Sequence, residues 1–134
     1  MDKKNCLFCK IVSGEIPSYK IYEDDNFLAF LDIFPSAEGD TLVIPKKHFE
    51  FVWDVENVGE YMKFTKKVAN HYQTLSERRM VYSIVHGEAV SHAHIHLIPN
   101  VDGGKWSKAL SNAFESEELS QEKAKSLIKK YSIK

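Results

Sequence analysis

The first half of the chain carries short apolar runs separated by turn residues, a pattern typical of strands. Tyr19–Glu23 and Phe27–Asp32 lie on either side of Asp24-Asp25-Asn26, which predicts a hairpin. Asp40–Ile44 predicts a third strand. Leu7–Ser13 predicts a short helix in front of them, which is too short to be stable unless it packs on the rest of the chain.

In the second half the apolar period becomes that of a helix. From Asp54 to about Arg79, apolar residues recur at near-helical spacing between lysines and glutamates, which predicts one long helix with Asp54 as its N-cap. Met80–Val85 and Ser91–Ile98 predict two further strands. Ser120 begins a last helix, whose apolar residues lie at i, i+3, i+4 and i+7: Ala124, Leu127, Ile128 and Tyr131.

Length and charge narrow the possible classes of protein. The 134 residues, 43% of them apolar, fit one domain spanning 1–134, with its motifs at 6–99 and a loop and helix at 100–134. A formal charge of −1 gives no general electrostatic reason to expect nucleic acid or a membrane surface as partner. No stretch reaches the roughly 18 to 20 apolar residues of a membrane helix, and the N-terminus lacks the apolar segment of a signal peptide. We therefore expect a cytoplasmic protein in which any phosphate binding is local.

Cys6 and Cys9 are the only cysteines, and they lie three positions apart. In a chain without an export signal a structural disulfide is the weakest interpretation, which leaves metal binding or redox chemistry. A redox pair of this spacing usually follows a strand directly, and only five residues precede Cys6. Metal binding is the stronger prediction, provided that ligands exist elsewhere.

Four of the six histidines lie between residues 86 and 96, and three of them alternate with apolar residues. On a strand, His92, His94 and His96 would line one face while Ala93, Ile95 and Leu97 entered the core. A row of imidazoles suits either metal ligation or nucleophilic and acid-base catalysis at phosphorus, and the spacing does not choose between them. Because few acidic residues lie nearby, a carboxylate-held magnesium site has little support, and histidine itself would then be the nucleophile.

These residues belong to a larger pattern that resembles the histidine triad (HIT) nucleotide hydrolases and transferases, in particular a Hint-like bacterial-type branch with a short loop before the triad. The family signature, His-apolar-His-apolar-His followed by two apolar residues, is met at 92–98. Earlier blocks occur in the family's order: Cys6–Val12 with Gly14–Pro17, Phe30–Ile33 and Leu42–His48. The resemblance implies an α+β fold, with an antiparallel sheet of about five strands, one long helix and short N- and C-terminal helices.

The resemblance also implies an activity, namely hydrolysis at the α-phosphorus of purine nucleotide derivatives such as nucleoside phosphoramidates or dinucleoside polyphosphates. His94 matches the nucleophile, which forms a covalent nucleotidyl-histidine intermediate, and His96 matches the histidine that contacts the phosphate and assists the leaving group. Asp32 matches the acidic residue that binds the ribose hydroxyls. The other nucleotide-binding positions are apolar, or lie in the loop before the triad: Phe8, Ile11, Ile16, Phe30, Ile33 and Gly87. Without the resemblance, the apolar ones would be interpreted as core residues.

Several branches of the family bind zinc through four residues that this chain also has: Cys6, Cys9, His48 and His92. Two thiolates and two imidazoles make the closed tetrahedral set typical of structural zinc. The intervals between them match no ordinary zinc finger, so the prediction depends on the resemblance. The alternative is two free thiols beside a helix, with His48 at the surface and His92 orienting its neighbours.

The chain departs from the family pattern next to the triad. Asp40 stands where a histidine is common, and His86 stands where an asparagine is usual. The segment between His86 and the triad is about five residues shorter than usual, and the Gly-Gln-Ser or Gly-Gln-Thr element is represented at best by Gly87-Glu88-Ala89. A carboxylate at Glu88 would repel a phosphate unless it points away. His71, on the predicted long helix, matches no motif and is expected at the surface.

Two other functions remain open beside the hydrolase. One is a binding module that keeps nucleotide affinity with little turnover, because the glutamine and hydroxyl partners are missing. The other is a metal-binding protein in which the histidine row supplies the ligands directly.

We also expect a homodimer, since family members commonly pair through the long helix and an edge strand. The predicted helix carries Tyr61, Phe64 and Tyr72 in addition to its inward stripe. A five-stranded sheet has two edges, and two-fold pairing would cover one on each subunit. In such a dimer Trp106 would reach the partner's pocket. The alternative is a monomer whose helix aromatics are covered by the C-terminal helix.

Overall fold

The computed structural model describes residues 5–100 and 117–133. Most of the loop at 100–105 and Trp106 lie outside the described residues. The elements follow in chain order: α1 (Leu7–Val12), β1 (Lys20–Glu23), β2 (Phe27–Leu31), β3 (Thr41–Pro45), a 3-10 turn (Val52–Asp54), α2 (Val58–Gln73), β4 (Val81–Ile84), β5 (Ile95–Pro99) and α3 (Gln121–Tyr131).

The five strands form one sheet in the order β1-β2-β3-β5-β4, and every neighbouring pair is antiparallel. The predicted fold class is therefore confirmed. β5 is the last strand within the described residues but lies inside the sheet, between β3 and β4. His96 on β5 is opposite Leu42 of β3 on one side and Ile84 of β4 on the other.

The two faces of the sheet bury separate clusters. The cluster under α2 and α3 includes alternate residues of the central strands together with large helix side chains: Ala29, Val43, Ile95, Leu97, Tyr61, Phe64, Val68, Tyr72, Leu127 and Tyr131. The cluster that holds α1 contains the other set: Cys6, Phe8, Ile11, Leu28, Phe30, Leu42 and Ile44. Strand alternation thus sends neighbouring residues to opposite faces, and α1 covers the face on which the histidines lie.

The long helix is shorter than predicted at both ends. Asp54 is not its N-cap, because its carboxylate accepts the backbone N–H of Phe51 (3.2 Å) within the 3-10 turn. The helix begins after Asn57 and ends at Thr74, whose hydroxyl donates to the carbonyl of His71. At 16 residues it is the longest helix described, and no helix within 5–100 and 117–133 has the length and apolarity needed to cross a membrane.

The histidine segment also differs from its prediction, since β5 begins at Ile95 rather than Ser91. β3 pairs with β5 only over residues 41–43 and 95–97. The segment before β5 does not pair with any described strand. It is bound to the loop after β3, where the N–H of Ala93 donates to the carbonyl of Phe49 (2.7 Å). Ala93, Ile95 and Leu97 nevertheless enter the core together, as the alternation predicts.

The C-terminal helix is confirmed with its predicted cap, since Ser120 Oγ accepts the N–H of Lys123 (3.1 Å). The ring of Tyr131 packs edge-on against Tyr72 of α2, with centroids 5.4 Å apart. Glu38 accepts hydrogen bonds from Lys130 (2.9 Å) and from Tyr131 (2.9 Å), which joins α3 to the loop before β3. α3 therefore docks on the aromatic face of α2.

Candidate active site and metal centre

The cysteine pair and two histidines meet at one point beneath α1. Nδ1 of His92 lies 3.2 Å from Cys6 Sγ and 3.5 Å from Cys9 Sγ. Nδ1 of His48 lies 3.4 Å from Cys9 Sγ and 3.2 Å from Nδ1 of His92. One ligand atom from each of the four residues lies within 4.8 Å of all the others. The sequence-predicted metal set is thus brought together by residues that are 86 positions apart.

These separations can be compared with the edges of a zinc tetrahedron. With Zn–S bonds of about 2.3 Å and Zn–N bonds of about 2.0 Å, nitrogen–nitrogen edges are about 3.3 Å and nitrogen–sulfur edges about 3.5 Å. The observed distances of 3.2 Å between nitrogens and 3.2 to 3.5 Å between nitrogen and sulfur match them closely. Four of the six edges of the cluster thus have the lengths expected for a tetrahedral Cys2His2 metal, and the other two lie within 4.8 Å.

The second nitrogen of His92 fixes which atom faces the cluster. Nε2 lies 2.8 Å from the carbonyl oxygen of Pro45. A carbonyl only accepts, so Nε2 carries the proton and Nδ1 presents a lone pair to the sulfurs. Burial lowers the pKa of His92 to about 4, which keeps the ring neutral. Histidines that bind a metal usually donate the N–H of their second ring nitrogen to a carbonyl or carboxylate in this way.

His94, the predicted nucleophile, is buried and held in one tautomer. Its Nδ1 lies 2.8 Å from the carbonyl oxygen of His92, so Nδ1 carries the proton and Nε2 has a free lone pair. Burial lowers the pKa of His94, and the neighbouring rings of His96 and His86 lower it further. Phe8 contacts the ring edge-on, with centroids 5.4 Å apart. The result is a neutral imidazole with one available nitrogen.

His96 has a different partner, the buried carboxylate of Asp40. Nδ1 of His96 donates to Asp40 Oδ1 (3.1 Å), and the other oxygen of Asp40 accepts the N–H of Ser36 (3.0 Å). Burial by itself would lower the pKa of His96, but the hydrogen bond to Asp40 and the charges of Asp40 and Asp32 outweigh burial and raise it. His96 is therefore the ring of the pair that more readily carries a proton.

Asp32 lies at the edge of the same group. Its Oδ2 is 3.8 Å from Nδ1 of His96, and its Oδ1 accepts the N–H of Phe34 (2.9 Å). Burial and the adjacent charge of Asp40 raise the pKa of Asp32 to about 6. The side chain keeps 18% of its surface exposed, so a ligand can reach the carboxylate.

His86 lies in the loop after β4, and its ring contacts both His94 and His96. Its ring is stacked on His96 with centroids 5.5 Å apart, and it meets His94 edge-on at 5.8 Å. Gly87 follows with φ of +80°, and a Cβ there would lie 2.9 Å from the ring of Phe51. The positive φ favours glycine here, and an added Cβ would also require the exposed ring of Phe51 to shift.

The predicted apolar nucleotide contacts divide into two groups. Phe8, Ile11 and Phe30 are buried in the α1 cluster, and Ile16 packs at its margin. Ile33 stands apart from this cluster, because it is 42% exposed in the loop after β2. The first three therefore support the site from beneath, whereas Ile33 and Ile16 retain surface that a base can contact.

Two residues of this group, Asp40 and His86, stand out in the sequence only as departures from the family pattern. For Asp40 a signal was available, because alternation puts position 40 on the face of Leu42, which the register sets opposite His96. His86 gave no comparable signal, since its position depends on the path of a shortened loop.

The family models give one match, to the HIT domain, over residues 13–103. Among curated proteins, the adenosine 5′-monophosphoramidase HNT1 of Saccharomyces cerevisiae is 42% identical over 101 residues, which are 72% of this chain and 63% of that protein.

Solved structures of histidine triad proteins also resemble this chain. A hypothetical histidine triad nucleotide-binding protein from Sulfolobus tokodaii superimposes with a TM-score of 0.76 and 31% identity, over 92% of this chain and 87% of that one. A zinc-bound histidine triad family protein from Mycobacterium smegmatis superimposes with a TM-score of 0.67 and 28% identity, over 97% of this chain and 95% of that one.

Proposed function

The chain belongs to the histidine triad (HIT) family, and from this membership and the geometry of the site we propose that it is a nucleotide hydrolase. The proposed substrates are purine nucleotide derivatives, either nucleoside phosphoramidates or dinucleoside polyphosphates, cleaved at the α-phosphorus. The observation that carries the proposal is the bond from Nδ1 of His94 to the carbonyl of His92, which leaves a neutral ring with a free Nε2 lone pair. A phosphoramidase among the relatives supports the same chemistry.

The reaction proceeds in two displacements. Nε2 of His94 attacks the α-phosphorus, so a P–N bond forms to His94 as the bond to the leaving group breaks. The leaving group takes a proton from His96, whose partner Asp40 stabilises the charged ring beforehand. Water then attacks the phosphorus, releases the nucleoside monophosphate and restores the neutral His94, while its proton returns to the His96 side.

Substrate positioning is assigned to the residues around the pair. Asp32 accepts hydrogen bonds from the ribose hydroxyls, a role suited to a carboxylate with a partly exposed side chain. Ile33 and Ile16 contact the base with the surface that they retain, while Phe8, Ile11 and Phe30 hold α1 and the His94 ring in place. Gly87 allows the backbone to approach the phosphate.

We assign the Cys6, Cys9, His48 and His92 cluster to structural zinc. When bound, the metal supplies a rigid link between α1, the loop after β3 and the segment that leads into β5. Supporting observations are the tetrahedral spacing of the four ligand atoms and the zinc-bound relative. A closed set of four protein ligands has no position for substrate, so the metal takes no part in the displacement.

The alternative of a metal held by the whole histidine row is less well supported. His92 turns its lone pair to the cysteines, so it does not share a centre with His94 and His96. The nucleotide-binding module remains the second candidate, because the glutamine and hydroxyl of the usual element are absent. Thermal stabilisation by a nucleoside monophosphate without product formation would favour it.

The decisive experiment combines a variant with trapping of the intermediate. His94→Ala should abolish turnover of an adenosine 5′-phosphoramidate, whereas binding of adenosine monophosphate should change by less than about threefold, because few ground-state contacts are lost. Wild-type protein mixed with phosphorus-labelled substrate and quenched without acid should carry label on His94, since phosphohistidine bonds are acid-labile. Substantial activity in His94→Ala would exclude this nucleophile.

We also propose that the chain forms a homodimer, although the structure corrects the first argument for it. Tyr61, Phe64 and Tyr72 do not project from the helix, because all three are buried against the sheet or against Tyr131. The support that remains is the edge of β4. There Ser83 is exposed, and Val85, just beyond the strand end, is 42% exposed.

A further inference from the structure

The loop before the triad lacks the usual phosphate-binding element, and His86 occupies the space beside the catalytic pair. Its ring lies parallel to His96, at an interplanar angle of 13°. One ring nitrogen of His86 lies within 4.8 Å of ring nitrogens of both His94 and His96. Three imidazoles therefore converge on one point, and the third of them comes from outside the triad.

The hydrogen bonds of the three rings assign different roles to their nitrogens. In His86, Nδ1 accepts the backbone N–H of Glu88 (3.0 Å), so Nδ1 has no proton and Nε2 carries it in the neutral ring. His94 is the reverse, with Nδ1 protonated and Nε2 bare. The set thus holds one lone pair beside N–H donors.

This combination suits a phosphate and is unsuited to a metal. Because Nδ1 of each ring is already hydrogen-bonded, a metal would have to bind the three Nε2 atoms, and Nε2 of His86 is the protonated nitrogen of the neutral ring. A phosphorus under attack needs one nucleophile and several N–H donors directed at its oxygens. The group therefore matches the charge pattern of a phosphoryl centre.

The local backbone holds His86 in this orientation. Glu88 reaches the ring with its backbone N–H, while its side chain is exposed. The turn depends on Gly87, whose positive φ is strained for any residue with a side chain.

We propose that His86 is a catalytic residue that donates its Nε2–H to a non-bridging oxygen of the phosphate attacked by His94. The inference rests on the proposed hydrolase activity and deepens it. His86 would supply from a side chain the donor that the shortened loop no longer provides. Negative charge that grows on that oxygen in the transition state is then stabilised more than it is in the bound substrate.

The test compares two replacements that separate the ring from the donor. His86→Phe keeps an aromatic ring to stack on His96 but removes the N–H, whereas His86→Gln keeps an N–H donor without the ring. We expect His86→Phe to lower kcat about 100-fold, as for loss of one transition-state donor, and His86→Gln to stay within about tenfold of wild type. His71→Phe on α2 is the matched control and should leave kcat unchanged, because His71 lies on the helix that packs against the opposite face.

A second measurement identifies the oxygen itself. The two diastereomers of an α-phosphorothioate analogue of the phosphoramidate place sulfur at one or the other non-bridging position. Wild-type protein should discriminate between them by kcat/KM, and His86→Phe should reduce this ratio about tenfold, since a hydrogen bond to a charged group is lost on one position only. A residue that merely packs would leave the ratio as it was.

The outcomes separate this inference from the proposed function. If the wild type shows no turnover and no label on His94, the hydrolase proposal itself fails. If the wild type is active but His86→Phe matches it, or if Phe and Gln lose activity equally with unchanged melting temperatures, the donor role of His86 is overturned. The donor role is overturned as well if the ratio of kcat/KM for the two phosphorothioate diastereomers is the same in wild type and His86→Phe.

Discussion

At the scale of single residues, the partner of each Nδ1 decides what a histidine can do. His94 bonds a carbonyl, His96 a carboxylate, and His86 a backbone N–H. In the proposed mechanism the same side chain thereby acts as a nucleophile, an acid and a hydrogen-bond donor within one group. Residue type alone would not have separated these roles.

Replacing the Asp40 carboxylate should change the pH dependence of the reaction. Asp40→Asn keeps a group of the same shape beside Nδ1 of His96 but removes the charge that raises the pKa of this ring. Because His96 acts in its protonated form, activity falls as the pH rises through its pKa. The alkaline fall in kcat should therefore begin at a lower pH in the variant than in the wild type.

The pH–rate profile from about pH 5 to 10 checks this prediction. Within the part of the chain that the structure describes, the charged or titratable groups in contact with His96 are Asp40, Asp32, His94 and His86. Asp25→Asn, an exposed carboxylate in the β1–β2 turn, is the matched control and should keep the wild-type profile. An unchanged alkaline limb in Asp40→Asn would show that Asp40 does not set the acidity of His96.

Much of the site could be predicted at this scale, because alternation in sequence survives as alternation in space. The histidine row and its apolar partners follow from a period of two, and the four metal-site residues are brought together as the motif order suggests. The role of Asp40 required the strand register, and the contact of His86 with the pair required the path of a loop. Alternation places Asp40 on the face of the histidines without identifying its partner, and no local pattern encodes the path of the loop.

At the scale of elements, α1 depends on the cluster that its N-terminus helps to form. The helix has only six residues, and Cys6 is both its N-cap and a member of the metal set. A helix of this length gains little from its own hydrogen bonds. Its position over the His94 ring is therefore controlled by Phe8, Ile11 and the cluster.

Removing one thiol should release the metal and destabilise the protein together. Cys9→Ser should lower bound zinc from about one per chain to less than about a tenth, and the melting temperature should fall, because binding energy at a structural site appears as folding energy. Elemental analysis and thermal unfolding, after purification without chelator, measure both. His94→Ala is the control, since it alters a neighbouring ring that is not a ligand and should keep its zinc. Wild-type protein with less than about a tenth of a zinc per chain would refute the metal assignment.

The existence of an element is easier to predict than its ends. Helix α2 is predicted by its apolar period. Its start is not, because Asp54 looks like an N-cap in sequence but belongs to the 3-10 turn that ends four residues before the helix begins. The inward face of α2 is wider than predicted, because Tyr61 and Phe64 belong to the core contact and are not surplus to it. Aromatic residues near both faces of a helix make the direction of its stripe ambiguous in sequence.

At the scale of the whole molecule, the two edges of the sheet are treated differently. Beside β1, the N–H of Ile133 donates to the carbonyl of Ile21 (3.1 Å), so the segment after α3 covers that edge. β4 forms the other edge, and at Ser83 its surface is exposed. This asymmetry favours β4 as the self-pairing edge.

Light scattering at micromolar concentration should give a mass of about twice 15.4 kDa. Ser83→Lys should shift the protein toward the monomer, because a two-fold pairing brings two introduced charges close together. Ser126→Lys, on the exposed side of α3, is the matched control and should remain dimeric. A mass near 15.4 kDa that does not rise with concentration would rule out the dimer.

The inside position of β5 determines the order in which the sheet can be completed during synthesis. β3 ends at Pro45, and β5, which pairs with its other side, ends at Pro99. The ribosome must therefore add 54 residues after β3 before β5 can pair with it. At about 5 to 20 residues per second, the free side of β3 waits roughly 3 to 10 seconds on the ribosome. During that interval the nascent chain presents an unpaired apolar strand, and exposed strands of this kind are prone to aggregation until their partner is synthesised.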